Sequence, residues 1–427
     1  MRPVRLSILM CLLCLPVAAM PTPPAPPRQP VAEPPAAGLR PIVEANTAFA
    51  VDLWKQVGAR KGNLAVSPAS ISAALAMTWT GAKGETASQI GTVLHLSGDA
   101  NAAASAWGRL IPALEDPTRG TLLRIANRIY AQQGLAFKPA FLANNAKSFG
   151  AGFERVDFAK ATDAARVHIN AWVAQRTQQR IRDLLGSNDI DRSTRMVLVD
   201  AIYFLGRWAD PFEAADTKPE GFDVAPDRRH DVPTMHLTGA LSAAQVADAK
   251  VLALDYQEGH VQMLFVLPDR TDGLDELERG LTAGTIGQWT SALAWKPKVI
   301  VSLPKFRIDP VGPVKLREAL QALGLRDAFD RSRADFDGIA RPRGPNDRLF
   351  IGDVVHKANV SVDEEGAEAA AATAVVMTHP MGIPVGPPPP PPAPFVFKAD
   401  HPFLFVIRDV ESGMVLFIGR VSDPAAP

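Results

Sequence analysis

Cysteine is nearly absent. The 427 residues hold two, Cys11 and Cys14, both inside an N-terminal stretch that reads as a removable leader. "CLLC" has the C-x-x-C spacing of a redox pair, but it lies within the leader's apolar core and carries no redox role. Without it the mature chain has no thiol and no disulfide, so packing alone must hold it together. Tyrosine is scarce as well, three against seven tryptophans, with no basic residues interleaved. That excludes a stacking face for nucleic acid. Neither charge sign is in excess: 45 basic side chains balance 45 acidic ones, which leaves no electrostatic footprint for nucleic acid or an anionic membrane. The apolar run from Leu6 to Val17 is too short for a permanent membrane anchor.

Catalytic motifs are missing too. There is no G-x-S-x-G elbow, no Walker loop and no H-E-x-x-H. The eight histidines are scattered, and His230 and His236 in "RRHDVPTMH" form no helical i, i+4 pair, so no metal or cofactor is expected. "GAKGET", from Gly81 to Thr86, lacks the spacing to wrap a phosphate and reads as a helix end and turn. These absences argue against an enzyme.

The segments that are present fall into three parts. "MRPVRLSILMCLLCLPVAAM" has two early arginines, an apolar centre and the small-residue exit Val17-Ala18-Ala19, the pattern of a secretory signal over residues 1–19. Residues 20–41 are proline-rich and read as an extended spacer. A globular domain follows over 42–424, and the whole chain's 47% hydrophobic content allows a large core. Secretion or periplasmic export is the expected destination.

Within the domain, Ser67-Pro68 opens a helix over 69–79, with Ser67 as cap and Pro68 in the first turn. "AARVHINAWVAQRTQQRIRDLL" has a helical stripe from Ile169 to Leu184. Later runs such as "TRMVLVDAIYFLGRW", "HVQMLFVLPD", "KVIVSLPKFRID" and "GMVLFIGRVS" are β-branched and aromatic, bounded by turn formers. Helices crowd the first half and strands the second, an α+β pattern.

One stretch fits neither element. "EEGAEAAAATAVVMTHPMGIPVGPPPPPPAP" spans Glu364 to Pro394. Read with period two, Ala367, Ala369, Ala371, Thr373, Val375 and Met377 share one face with no charge, glycine or proline. Alanine also favours helix. A segment tuned to neither state suits a loop that later becomes a central strand. The proline run lacks N–H donors and marks where insertion stops. The acidic run Asp363-Glu364-Glu365 reads, by itself, as a solvated strand end.

These residues resemble a known family, the serpins. "VDEEGAEAAAATAVV" is similar to the family's hinge, with Glu364, Gly366, Ala367, Glu368 and the small run Ala369, Ala370, Ala371, Ala372, Thr373. "FKADHPFLFVIRD" resembles the signature after the reactive loop. "NLAVSPASISAALAM", "ANRIYAQQGLAFKPAFL", "INAWVAQRTQQRI", "VDAIYFLGRWADPF", "LPKFRID" and "VVHKANVSVDEEG" extend the likeness along the mature chain.

The resemblance implies helices packed on a large mixed sheet with smaller sheets, an exposed reactive loop at about 364–394, and no enzyme activity of the chain's own. It implies a suicide substrate: a serine protease attacks the loop, forms an acyl-enzyme, and is dragged away as the loop inserts as a strand. The expected target is chymotrypsin- or elastase-like, and the chain a monomer. Family spacing lands on Pro380. Met381, after a proline and before Gly382, is the expected bait, so Met381–Gly382 is the expected reactive bond and Met377 the alternative. A sheet-opening network of Ser70, Asp200 and His356 is also implied, with Trp208 as a core anchor near the top of the sheet. Asp200 stands where the family usually has asparagine, and an aspartate there can pair with protonated His356 and make opening pH-sensitive. The competing reading is a non-inhibitory serpin-fold binding protein.

Overall fold

The computed structural model describes residues 38–426, except 151, 311, 343, 345–347 and 368–392. The leader, the spacer to residue 37, most of the hinge run and the expected reactive bond therefore lie outside the described residues. Those described fall in one unit, Glu33–Pro427.

Two sheets with a helix between them organise the fold. The first is mixed and has seven strands among the described residues. Its path runs Phe306–Ile308, Val354–Val362, Met196–Arg207, Thr121–Gln132, Phe153–Val156. The Val354–Val362 and Met196–Arg207 strands are parallel, and Met196–Arg207 is antiparallel to Thr121–Gln132. The second sheet has nine strands, including Ala294–Pro304, Val261–Pro268, Phe403–Asp409 and Val415–Val421. The described chain thus has the expected α+β architecture.

Helix Pro68–Trp79 starts where the sequence predicts. Ser67 Oγ accepts from the Ser70 N–H, Pro68 fills the first turn, and all twelve residues are buried. A helix apolar on every side belongs inside the core, and this one packs on strands of both sheets.

The Met196–Arg207 strand divides two cores by its period of two. Met196, Leu198, Ile202 and Phe204 join the large cluster around helix Pro68–Trp79. Val197, Val199 and Ala201 join a smaller one with Ile169 and Val173 of helix Thr162–Arg176. With both faces covered, the strand reads as a continuous apolar run. Asp200 is its one charged interior residue.

The helical stripe predicted to reach Leu184 stops earlier. The helix ends at Arg176, and Gln178 and Gln179 take positive φ of 50° and 65°. Thr177 Oγ1 donates to Val173 O and accepts from the Ile181 N–H, closing the end. The turn still buries Ile181 and Leu184 in the smaller core, so the apolar spacing was satisfied by a bent chain rather than a longer helix.

Candidate functional site

The Val354–Val362 and Met196–Arg207 strands run side by side only part of the way. Their pairing goes from Val354 opposite Leu198 to Asn359 opposite Tyr203 and then stops. Beyond it, Val360, Ser361 and Val362 pair outward with Ile308, Arg307 and Phe306. A void of about 20 Å3, lined by Tyr203, Phe204, Asn359 and Val360 among others, sits at the fork.

The chain turns back on itself just past Val362. Asp363 Oδ1 accepts from the Glu365 and Gly366 N–H groups. Gly366 and Ala367 then pair antiparallel with Arg207 and Gly206. These two residues are the first rung of a strand that would lie between the two parted ones. Gly366 has φ +138°, and a Cβ there would meet Gly206 O at 2.1 Å. Only glycine fits this position.

Several contacts hold the turn in place. Lys305 Nζ lies 2.6 Å from Glu364 Oε2, and Thr217 Oγ1 donates to Glu364 Oε1 at 2.7 Å. Burial pushes the Glu364 carboxyl up, but the bonds from Lys305 and Thr217 outweigh it and hold the group below its ordinary range. Burial raises the neighbouring Asp363, against the pull of its two backbone donors. Trp208 donates its ring N–H to Asp363 O at 3.0 Å and its backbone N–H to Glu365 O at 2.8 Å. Its ring stacks on Tyr256 at 4.5 Å, and the side chain is buried.

The closed half of the sheet carries a polar cluster. His356 Nδ1 and Asp200 Oδ1 form a short contact across the paired strands, both fully buried. The Ser67 backbone N–H donates to His356 Nε2 at 3.1 Å. That nitrogen must accept, so the ring is the neutral Nδ1–H tautomer. In that arrangement the Nδ1–H faces Asp200 and Nε2 faces the Ser67 N–H. Asp200 Oδ2 has no hydrogen-bond partner among the described residues. Ser70 Oγ donates to Asn127 Oδ1 at 3.0 Å, and Asn127 stands opposite Asp200 on the next strand.

Ser70, Asp200 and His356 therefore gather in one place. Trp208 lies eight residues further along the strand, about 26 Å at strand rise, and belongs with the hinge. Glu364 and Gly366 sit at the fork. Glu368 to Thr373, Met377, Pro380, Met381 and Gly382 lie outside the described residues. Sequence reasoning missed Lys305, Thr217, Ser67 and Asn127 as partners of these groups. Lys305 stood in the quoted "LPKFRID" run, but no sequence signal ties it to Glu364, 59 positions away. His230 and His236 take separate partners, Asp423 and Glu220.

Comparison with known proteins agrees with this geometry. The family model described as Serpin (serine protease inhibitor) matches residues 44–424. The human leukocyte elastase inhibitor is 37% identical over 394 residues, covering 89% of this chain and 98% of that protein. Among solved structures, Serpin48 of the insect Tenebrio molitor has a TM-score of 0.77 at 32% identity, covering 90% and 98% of the two chains. Human thyroxine-binding globulin, solved as a complex with thyroxine, has a TM-score of 0.80 at 26% identity, covering 91% and 100%. The half-opened sheet with its seeded central strand, the match along the whole domain and these relatives lead to one conclusion: the chain belongs to the serpin family.

Proposed function

We propose that this serpin is a secreted or periplasmic inhibitor of serine endopeptidases, acting as a suicide substrate whose cut loop inserts into the mixed sheet. It works as a monomer, without cofactor and without catalysis of its own. The observation that carries this reading is the fork: parted strands with Gly366 and Ala367 already paired to one of them.

The first two pairs set a register. Gly366 with Arg207 and Ala367 with Gly206 both give a sum of 573. Continued, that rule puts Ala369 opposite Phe204, Ala371 opposite Ile202, Thr373 opposite Asp200, Val375 opposite Leu198 and Met377 opposite Met196. Opposed residues share a face. The uncharged face of the hinge run thus enters over the large core, where Phe204 and Ile202 leave room only for small partners. The alternate face brings Ala370, Ala372 and Ala374 against Tyr203, Ala201 and Val199. Thr373 is the one hydroxyl in the series, and it reaches Asp200, whose Oδ2 lacks a donor.

The register also bears on the reactive bond. Pairing runs out at Met377, where the Met196–Arg207 strand begins. An ester at Met381 leaves four residues to link strand foot and protease, so we place the cut at Met381–Gly382, ahead of Met377 and Pro380. The fifteen residue steps from Gly366 to Met381 carry the acyl-enzyme about 50 Å. A methionine bait suits chymotrypsin- or elastase-like targets, and the relative named for leukocyte elastase is consistent with that class. The proline run at 387–392 then acts as a stiff spacer holding the bait off the body.

Incubation with pancreatic elastase or chymotrypsin tests the proposal. An SDS-stable complex and a released peptide beginning at Gly382 are expected, and the nicked protein should melt well above the intact one. Cleavage without a complex and without a gain in Tm would favour the second reading, a non-inhibitory binding protein, for which the thyroxine-bound relative is a precedent. N-terminal sequencing of exported protein should begin at Met20.

A further inference from the structure

A cleft of about 960 Å3 lies beside the end of helix Arg40–Val57, and none of its lining residues belongs to the hinge or the fork. Its floor is built around Arg420, 5% exposed on the strand Val415–Val421. The guanidinium donates to the carbonyls of Gly58 and Gly62 at 2.8 and 2.9 Å and to both oxygens of Glu278 at 3.1 and 2.9 Å. It also lies 6.0 Å over the Trp54 ring. Arginine and glutamate neutralise each other, so the floor is a rigid plate with little net charge. Leu274, Val224 and Ala225 supply apolar wall.

The rim is charged and one-sided. Lys55, Arg60 and Lys61 are exposed and line the cleft. Among the described residues none of the three forms an ion pair. Arg60 reaches only the Lys315 carbonyl, at 3.5 Å. Arg279 adds a fourth cation, and Asp275 is the sole lining carboxylate besides the neutralised Glu278. A chain with balanced total charge has thus concentrated unpaired cations around one concavity. Low-dielectric walls focus that potential toward an anion. The size is at the upper end of small-molecule sites, roughly 300–1,000 Å3.

We propose that this cleft binds an organic anion with a flat apolar body, of the aryl sulfonate or aryl carboxylate class. The body lies over the Arg420–Glu278 floor between Leu274 and Ala225, and the acid group meets Lys55, Arg60 and Lys61. The site is independent of loop insertion, so its failure and the failure of the inhibitory reading are separate results.

The probe is 1-anilinonaphthalene-8-sulfonate, titrated into the intact mature protein by fluorescence and calorimetry. One saturable site is expected. Its neutral analogue, N-phenyl-1-naphthylamine, keeps the body without the sulfonate and should bind at least about tenfold more weakly. The double variant Lys55→Ala, Lys61→Ala should lose a similar factor, and Ala225→Trp should abolish binding by placing a ring where the ligand's body lies. Lys55→Glu, on the exposed rim, serves if Ala225→Trp does not fold, and it should weaken the sulfonate but leave the amine unchanged. Equal binding of the two probes, or an unchanged Kd in these variants with unaltered Tm, overturns the proposal.

Discussion

Replacing Ala371 with glutamate tests the insertion register most directly. Under the sum rule set by Gly366 and Ala367, residue 371 enters opposite Ile202, which is fully buried on the face of the large core. The same-face neighbours along the Met196–Arg207 strand, Phe204 and Asp200, offer that carboxylate no cation. The group must take up a proton to enter. A pKa raised by about three units corresponds to ~4 kcal/mol near neutral pH. If half of that is felt when the loop is partly inserted, insertion slows by roughly 30-fold. Hydrolysis of the acyl-enzyme competes with insertion and is unaffected, so the variant should become mostly a substrate. Gel densitometry of complex against cleaved protein, over a range of inhibitor-to-protease ratios, reads this partition. Ala371→Ser is the matched control and should stay close to the parent. An undiminished yield of stable complex from Ala371→Glu would refute the register and with it the assignment of the uncharged face.

Gly366→Ala should lower the thermal stability of the intact protein by about 1–3 kcal/mol, because the added Cβ meets Gly206 O and the residue must hold φ +138°; a denaturant melt measures it. The Lys305–Glu364 contact predicts a pH dependence. The folded carboxyl sits below its ordinary value of 4.5, so its stabilisation is complete above that value and is lost as pH falls through the folded pKa. The Tm difference between the parent and Glu364→Gln should therefore be constant near neutrality and vanish in acid below the ordinary glutamate range. Asp200→Asn should stabilise the intact form by ~1–2 kcal/mol, since it removes a buried carboxylate whose Oδ2 has no partner while His356 can still donate to Oδ1; an unchanged or lowered Tm would count against this account. Thr373→Val should leave the intact protein's Tm alone and reduce the Tm gain on cleavage, because only the inserted form offers Asp200 the hydroxyl.

Much of this was legible along the chain, and the reason is that the informative features are local. Ser67-Pro68 announces a helix start through its own cap chemistry, and the structure begins that helix there. Continuous β-branched and aromatic runs mark strands such as Met196–Arg207 and Val261–Pro268 without reference to their partners. The small, uncharged period-two face of the hinge run is a property of the residues themselves. The helix expected to reach Leu184 shows the limit of such reasoning: apolar spacing reports which side chains are buried, and a bent chain with two left-handed glutamines buries them equally well.

What only the tertiary structure decided depends on groups far apart in sequence. Asp200 and His356 were paired from the resemblance, yet the partner on the other side of the ring is a third group, the Ser67 N–H, 289 positions away. Glu364 was recognised as a hinge residue, but its latch to Lys305 and Thr217 exists only because two strands part beside it. Trp208 was expected near the top of the sheet, and packing made it the residue that holds the turn through Asp363 and Glu365. Residue type and spacing determine what each segment can become, because those are set by covalent neighbours. Which donors face which acceptors across the fork is set by how strands from distant parts of the chain come to lie together, and no single stretch carries that information.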